Sequence, residues 1–173
     1  HPRSSAASDV YKRQLVDSKF IKEHIHVDGK IIDVIPTSQL NLEEKYYQKI
    51  PYENPKISID NLKEDYFGKI FGTRSGDKGG CANLGVWAKS QEAYSFLFDF
   101  LTVKKLKELL PDLEKFEIDR FELPNIYSLN FYVHGILQDG VSSSTRMDGQ
   151  AKSLGEYLRA KKINFPEELL KQI

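Results

Sequence analysis

The sequence is short of the residues that most often announce a function. It has one cysteine, Cys81, in 173 residues. A single thiol excludes an internal disulfide and a cysteine-rich zinc site, and it fits the cytoplasm or another reducing compartment. A surplus of either charge is missing too: 25 Lys and Arg stand against 25 Asp and Glu. Phosphate binding needs excess basic charge on at least one face, so this balance argues against a nucleic-acid partner. No apolar run approaches the roughly 18 residues of a membrane span, and the N-terminus lacks the apolar core of a signal peptide. A membrane is therefore not expected as a partner.

Methionine is equally scarce. Met147 is the only one, so the chain does not open on a natural start and reads as the C-terminal piece of something longer. Residues 1–14 show neither helical nor strand periodicity and read as a cloning or assembly scar, or as a disordered leader. Setting them aside removes Arg3, Lys12, Arg13 and Asp9 and leaves 22 basic against 24 acidic residues.

What is present is a globular composition, with 40% hydrophobic and 29% charged residues. Residues 15–56 read as a hairpin and a linker, a possible remnant of an upstream domain. His24–Val27 and Lys30–Ile35 flank Asp28-Gly29, a favoured type I′ turn. His24 and His26 alternate onto one face, but no third ligand stands at a metal-site spacing, so no metal is expected. Pro36, Pro51 and Pro55 interrupt the linker, and Asn41 is placed to cap a short helix over Leu42–Ile50.

Residues 57–173 carry dense patterning. Strands are expected at Tyr66–Gly72, with Phe67 and Phe71 on one face, and at Asn83–Lys89, with Leu84, Val86 and Ala88 together. Tyr94, Leu97, Phe98 and Leu101 recur at helical spacing. Thr102 caps a continuation through Leu106, Leu109 and Leu110, and Pro111 stops it. Two further strands are expected at Phe116–Leu123, with Phe121 and Leu123 sharing a face, and at Ser128–Gln138. A second helix follows at Gly149–Arg159, then a short edge strand through Ile163 and Phe165. From the second strand onward this order is the split βαβ pattern of an α+β, ferredoxin-like two-layer sandwich, a mainly antiparallel sheet with two helices on one face.

Two segments can carry chemistry. Gly72–Gly85 reads as a glycine-rich loop between strands, in which exposed backbone N–H groups, Arg74 and Lys78 suit an anion, with Ser75, Gly76 and Asp77 beside them. Its spacing is not that of a P-loop, and a KH-type Gly-x-x-Gly would join helices rather than strands. The bland alternative is a decorated hairpin turn. Ser142–Gly149 holds Arg146 and Asp148 before the second helix, where a helix start also favours negative charge; the bland alternative is a loop with capping residues. His134 shares a polar strand row with Asn130 and Tyr132 and offers an acid or base. A serine nucleophile, Ser75 with Lys78 or paired with His134, lacks any hydrolase signature. Phe67, Phe71 and Tyr132 are stacking groups for a single-stranded nucleic acid, a reading that the neutral charge opposes.

Arg74-Ser-Gly-Asp-Lys-Gly79, Ala82-Asn-Leu-Gly85, Phe121-Glu-Leu-Pro-Asn125, Leu129-Asn-Phe-Tyr-Val-His-Gly135 and Ser144-Thr-Arg-Met-Asp148 stand in an order that resembles one family. It is the C-terminal ferredoxin-fold domain of AtuA-like, acyclic terpene utilisation proteins. Gly80-Cys81 departs from the polar residues relatives tend to carry there. The resemblance implies a role in acyclic terpene or branched acyl-CoA catabolism, beside an AtuA-type N-terminal domain and acyl-CoA carboxylase subunits. It transfers no catalytic residue and no cofactor, and leaves open whether the chain is an enzyme. With the two charged segments it nominates Arg74, Ser75, Gly76, Asp77, Lys78, Asn83, His134, Arg146 and Asp148 as the ligand-binding set. A purely structural or assembly module is the alternative.

Overall fold

In the computed structural model, residues 20–34, 52, 54, 61–142 and 144–171 are described. The expected leader and the Leu42–Ile50 helix lie outside them. The chain divides into two units, residues 1–50 and 51–173. In the first, β1 (His24–Val27) pairs antiparallel with β2 (Lys30–Asp33). Asp28 and Gly29 both take positive φ, 49° and 73°, as a type I′ turn requires. His24 Nδ1 meets Asp33 Oδ1 at 2.8 Å across the pair.

The second unit is built on a four-stranded antiparallel sheet of β4 (Gly72–Lys78), β5 (Cys81–Trp87), β6 (Ile118–Leu123) and β7 (Ser128–Val133), in the order β4-β5-β7-β6. α2 (Gln91–Phe100) and α3 (Val103–Leu109) connect β5 to β6, and α4 (Leu154–Arg159) follows β7. This is an α+β, ferredoxin-like arrangement with helices on one face of the sheet. Ser90 and Thr102 start α2 and α3 by accepting from Ala93 N and Lys105 N, and Pro111 opens a 3-10 turn that ends the run. Alternation sends Ala82, Leu84 and Val86 of β5 and Leu129, Phe131 and Val133 of β7 into one core with Tyr94, Leu97, Leu101, Leu106 and Leu158.

Three expectations give way. Phe67 and Phe71 do pack together, with ring centroids 4.8 Å apart, but through α1 (Phe67–Ile70), not a strand. An i, i+4 spacing shares a face in either conformation. Gly72–Gly85 is not a loop: β4 and β5 run through it and leave only the two-residue turn Gly79-Gly80. Its glycines lie mostly within strands, where pairing overrides the loop preference of the composition. Phe121 and Leu123 share a face, but it is the exposed one. The covered side of β6 holds Ile118, Arg120 and Glu122, and Arg120 bonds Glu122 Oε1 and Phe98 O, each at 2.7 Å. Its guanidinium lies 4.9 Å from the Phe98 ring centre, so an ion pair with a stacked stem seals that edge.

Boundaries shift as well. β7 stops at Val133, because Gly135 turns the chain with φ 65°. α4 starts at Leu154 instead of Gly149, because Ala151 takes φ 52°, outside the helical region. The final strand, β8 (Lys162–Pro166), leaves the main sheet and pairs antiparallel with β3 (Leu62–Tyr66), before α5 (Glu167–Leu170). β4 takes the sheet position beside β5 that a fourth ferredoxin strand would fill.

Candidate functional site

Strand register decides where each nominated side chain goes. On the face of the sheet away from the helices, three rows cross the strands: Gly72, Trp87, Ser128, Leu123; then Arg74, Gly85, Asn130, Phe121; then Gly76, Asn83, Tyr132, Asp119. Arg74, Gly76, Lys78 and Asn83 thus share one surface. Arg74 is exposed and its guanidinium has no partner among the described residues, while Lys78 Nζ donates to Asp77 O at 3.0 Å. Asn83 Nδ2 donates to Asn130 Oδ1 at 3.4 Å.

His134 joins a small polar group at one end of this face. Its Nε2 lies 2.8 Å from Asp119 Oδ2, and its ring meets Tyr132 edge-on at 4.9 Å. A hydrogen bond to Cys81, with some burial, holds the Tyr132 hydroxyl above its ordinary pKa of 10.0. Cys81 Sγ also accepts from Gly135 N at 3.4 Å. Asp119 and Cys81 were not nominated from sequence, and Tyr132 was read only as a neighbour of His134 in its strand row and as a stacking group. The β6–β7 register pairs Asp119 with Tyr132, and the hydrogen bonds of Cys81 to Tyr132 and Gly135 add the thiol.

Ser75 alternates to the helix side. Its Oγ donates to Lys152 O at 3.1 Å and accepts from Gly155 N at 2.9 Å, clamping β4 to the start of α4. Asp77 belongs to the same side of the strand. Asp148 is spent on its own turn: Oδ1 accepts from Lys152 N at 2.9 Å and Oδ2 from Ser153 N at 3.0 Å.

Arg146 and Asp148 line a cleft of about 420 Å³ with Leu110, Asp112, Met147, Ser153, Leu154 and Tyr157. Leu110 and Leu154 are buried and form an apolar floor, and the half-buried Arg146 guanidinium has no partner among the described residues. Arg74 and Lys78 therefore do not meet Arg146: the sheet lies between them. Ser75 is the link between the glycine-rich hairpin and the Arg146 loop. Among the described residues no group of three or more His, Cys, Asp or Glu side chains is placed to hold a metal, and no helix is long and apolar enough to cross a membrane.

A fold of this order, with its motifs along β4, β5, β7 and the Arg146 loop, defines a ferredoxin-like accessory domain. The family model described as AtuA ferredoxin-like domain matches residues 67–164, more than half of the chain. The chain belongs to that family. Searches of curated proteins and of solved structures gave no match.

Proposed function

We propose that this chain is the accessory domain of an AtuA-like protein in acyclic terpene or branched acyl-CoA catabolism, and that it binds an anionic ligand in the Arg146 cleft. The observation that carries the reading is the Arg146 guanidinium, without a partner among the described residues, at the rim of a 420 Å³ cleft with an apolar floor. That volume falls within the roughly 300–1,000 Å³ of small-molecule sites. An amphiphile with a negative group for Arg146 and a hydrocarbon part for Leu110 and Leu154 matches both halves. Tyr157 and Ser153 add hydroxyls at the rim. In this reading the partners are an AtuA-type N-terminal domain and acyl-CoA carboxylase subunits, in the cytoplasm or another reducing compartment.

Calorimetry with branched acyl-CoA compounds and their free acids tests the proposal. Arg146→Ala should weaken binding by about 10–100-fold, the loss of one charge-assisted contact. Arg74→Ala, on the other side of the sheet, should leave it unchanged. Equal heats from wild type and Arg146→Ala would remove the site and leave an assembly module.

A further inference from the structure

The face of the sheet away from the helices is divided into two unlike halves. On β4 and β5 it is low at Gly76 and Gly85, and a Cβ at Gly76 would meet nothing within 4 Å, while at the end of this half the Trp87 indole covers Gly72. On β7 and β6 it is raised by Tyr132, Phe121 and Leu123. Phe121 is 50% exposed and Leu123 42%, side by side on β6, and Trp87, 39% exposed, stands on β5 in the row of Leu123. Charge divides the same way. β4 carries Arg74 and Lys78, neither with an acidic partner among the described residues, whereas β6 carries Asp119.

We propose that this face binds a second copy of the same chain. A two-fold axis along the strands, between β5 and β7, lays β4 of each copy on β6 of the other. The raised half of each sheet then fills the low half of its mate, as isologous interfaces require. Because such a rotation keeps each row at its own level, the second copy's Asp119 comes over Gly76, flanked by Arg74 and Lys78. Asp119 Oδ2 stays with His134, and Oδ1 has no partner among the described residues, so it is free for the opposing cations. The second copy's Phe121 lies over Arg74, a cation–π placement, and its Leu123 comes onto the Trp87 indole that covers Gly72. Sheets packed face to face in this way stay within about 30° of alignment, which preserves the match at the centre.

The oligomeric state of the 173-residue chain tests this, by light scattering or sedimentation over about 1–100 µM, the weak end of standard interfaces. Wild type should reach twice the chain mass of 19.9 kDa. Arg74→Asp and Asp119→Arg should each weaken association at least about tenfold, and the two together should restore it. A Cβ at Gly76 enters open space, so Gly76→Leu should fold with an unchanged circular-dichroism spectrum yet stay at the chain mass. Wild type at the chain mass throughout overturns the proposal and leaves the face to a different protein. So does a dimer indifferent to the charge variants and to Gly76→Leu, or failure of the double exchange to restore association.

Discussion

Ser75 joins two segments that lie about eighty residues apart, and it does so with one oxygen. It is the acceptor for the buried Gly155 N–H and the donor to Lys152 O. Ser75→Ala leaves both backbone groups without that partner, and should lower stability by about 1–3 kcal/mol in urea unfolding. In the sequence Ser75 stands out as a ligand-binding candidate within Arg74–Gly79 and as a hydroxyl near Lys78. Its true role follows from alternation along β4, which turns Thr73, Ser75 and Asp77 one way and Arg74, Gly76 and Lys78 the other. Nothing in the local pattern says that a strand runs there, because glycine and charge are equally common in turns. Arg146 and Asp148 were legible as a pair of loop residues. Their separation into a cation without a partner among the described residues and a turn-locked carboxylate needed the hydrogen bonds.

Elements with a one-sided apolar period were read correctly, and those with ambiguous spacing were not. Tyr94, Leu97 and Leu101, with the cap at Thr102 and the stop at Pro111, mark α2 and α3 from sequence alone, and the structure adds the Ser90 cap. Phe67 and Phe71 do not discriminate helix from strand, since four residues return to the same side in both. Phe121 and Leu123 misled for a different reason: the covered side of β6 takes an ion pair, and the apolar residues face out. The Gly79-Gly80 turn was hidden among the five glycines scattered over Gly72–Gly85. Gly79 supplies φ 63°, and a Cβ on Gly80 would collide with Gln138 O, so the 134–140 turn packs directly on bare backbone. Gly80→Ala should cost about 1–3 kcal/mol through that overlap. The check is thermal unfolding beside Gly76→Ala, where a new methyl meets nothing.

At the scale of the whole domain, the split βαβ order was legible because hairpin and helix signals alternate along the chain. The sheet order β4-β5-β7-β6, and the departure of β8 to β3, were not, because partner choice among edge strands depends on distant packing. Global stability should carry an alkaline signature. The Tyr94 ring is fully buried, its hydroxyl has no hydrogen-bond partner among the described residues, and burial pushes its pKa from 10.0 up to about 12. A phenol whose folded-state pKa is raised contributes stability that is intact below pH 10 and is lost as pH rises through about 12. Tyr94→Phe should therefore raise stability at neutral pH by about 1 kcal/mol, by deleting an unsatisfied buried hydroxyl. It should also flatten the decline between pH 10 and 12, read from denaturant midpoints across that range.

The chain has one tryptophan, and Trp87 stands on the sheet face away from the helices, its indole laid over Gly72. Its fluorescence is thus a private optical channel for that face. A molecule entering the cleft behind the sheet leaves the emission colour alone, while anything that covers the indole turns it toward the blue. One cuvette can tell the two events apart.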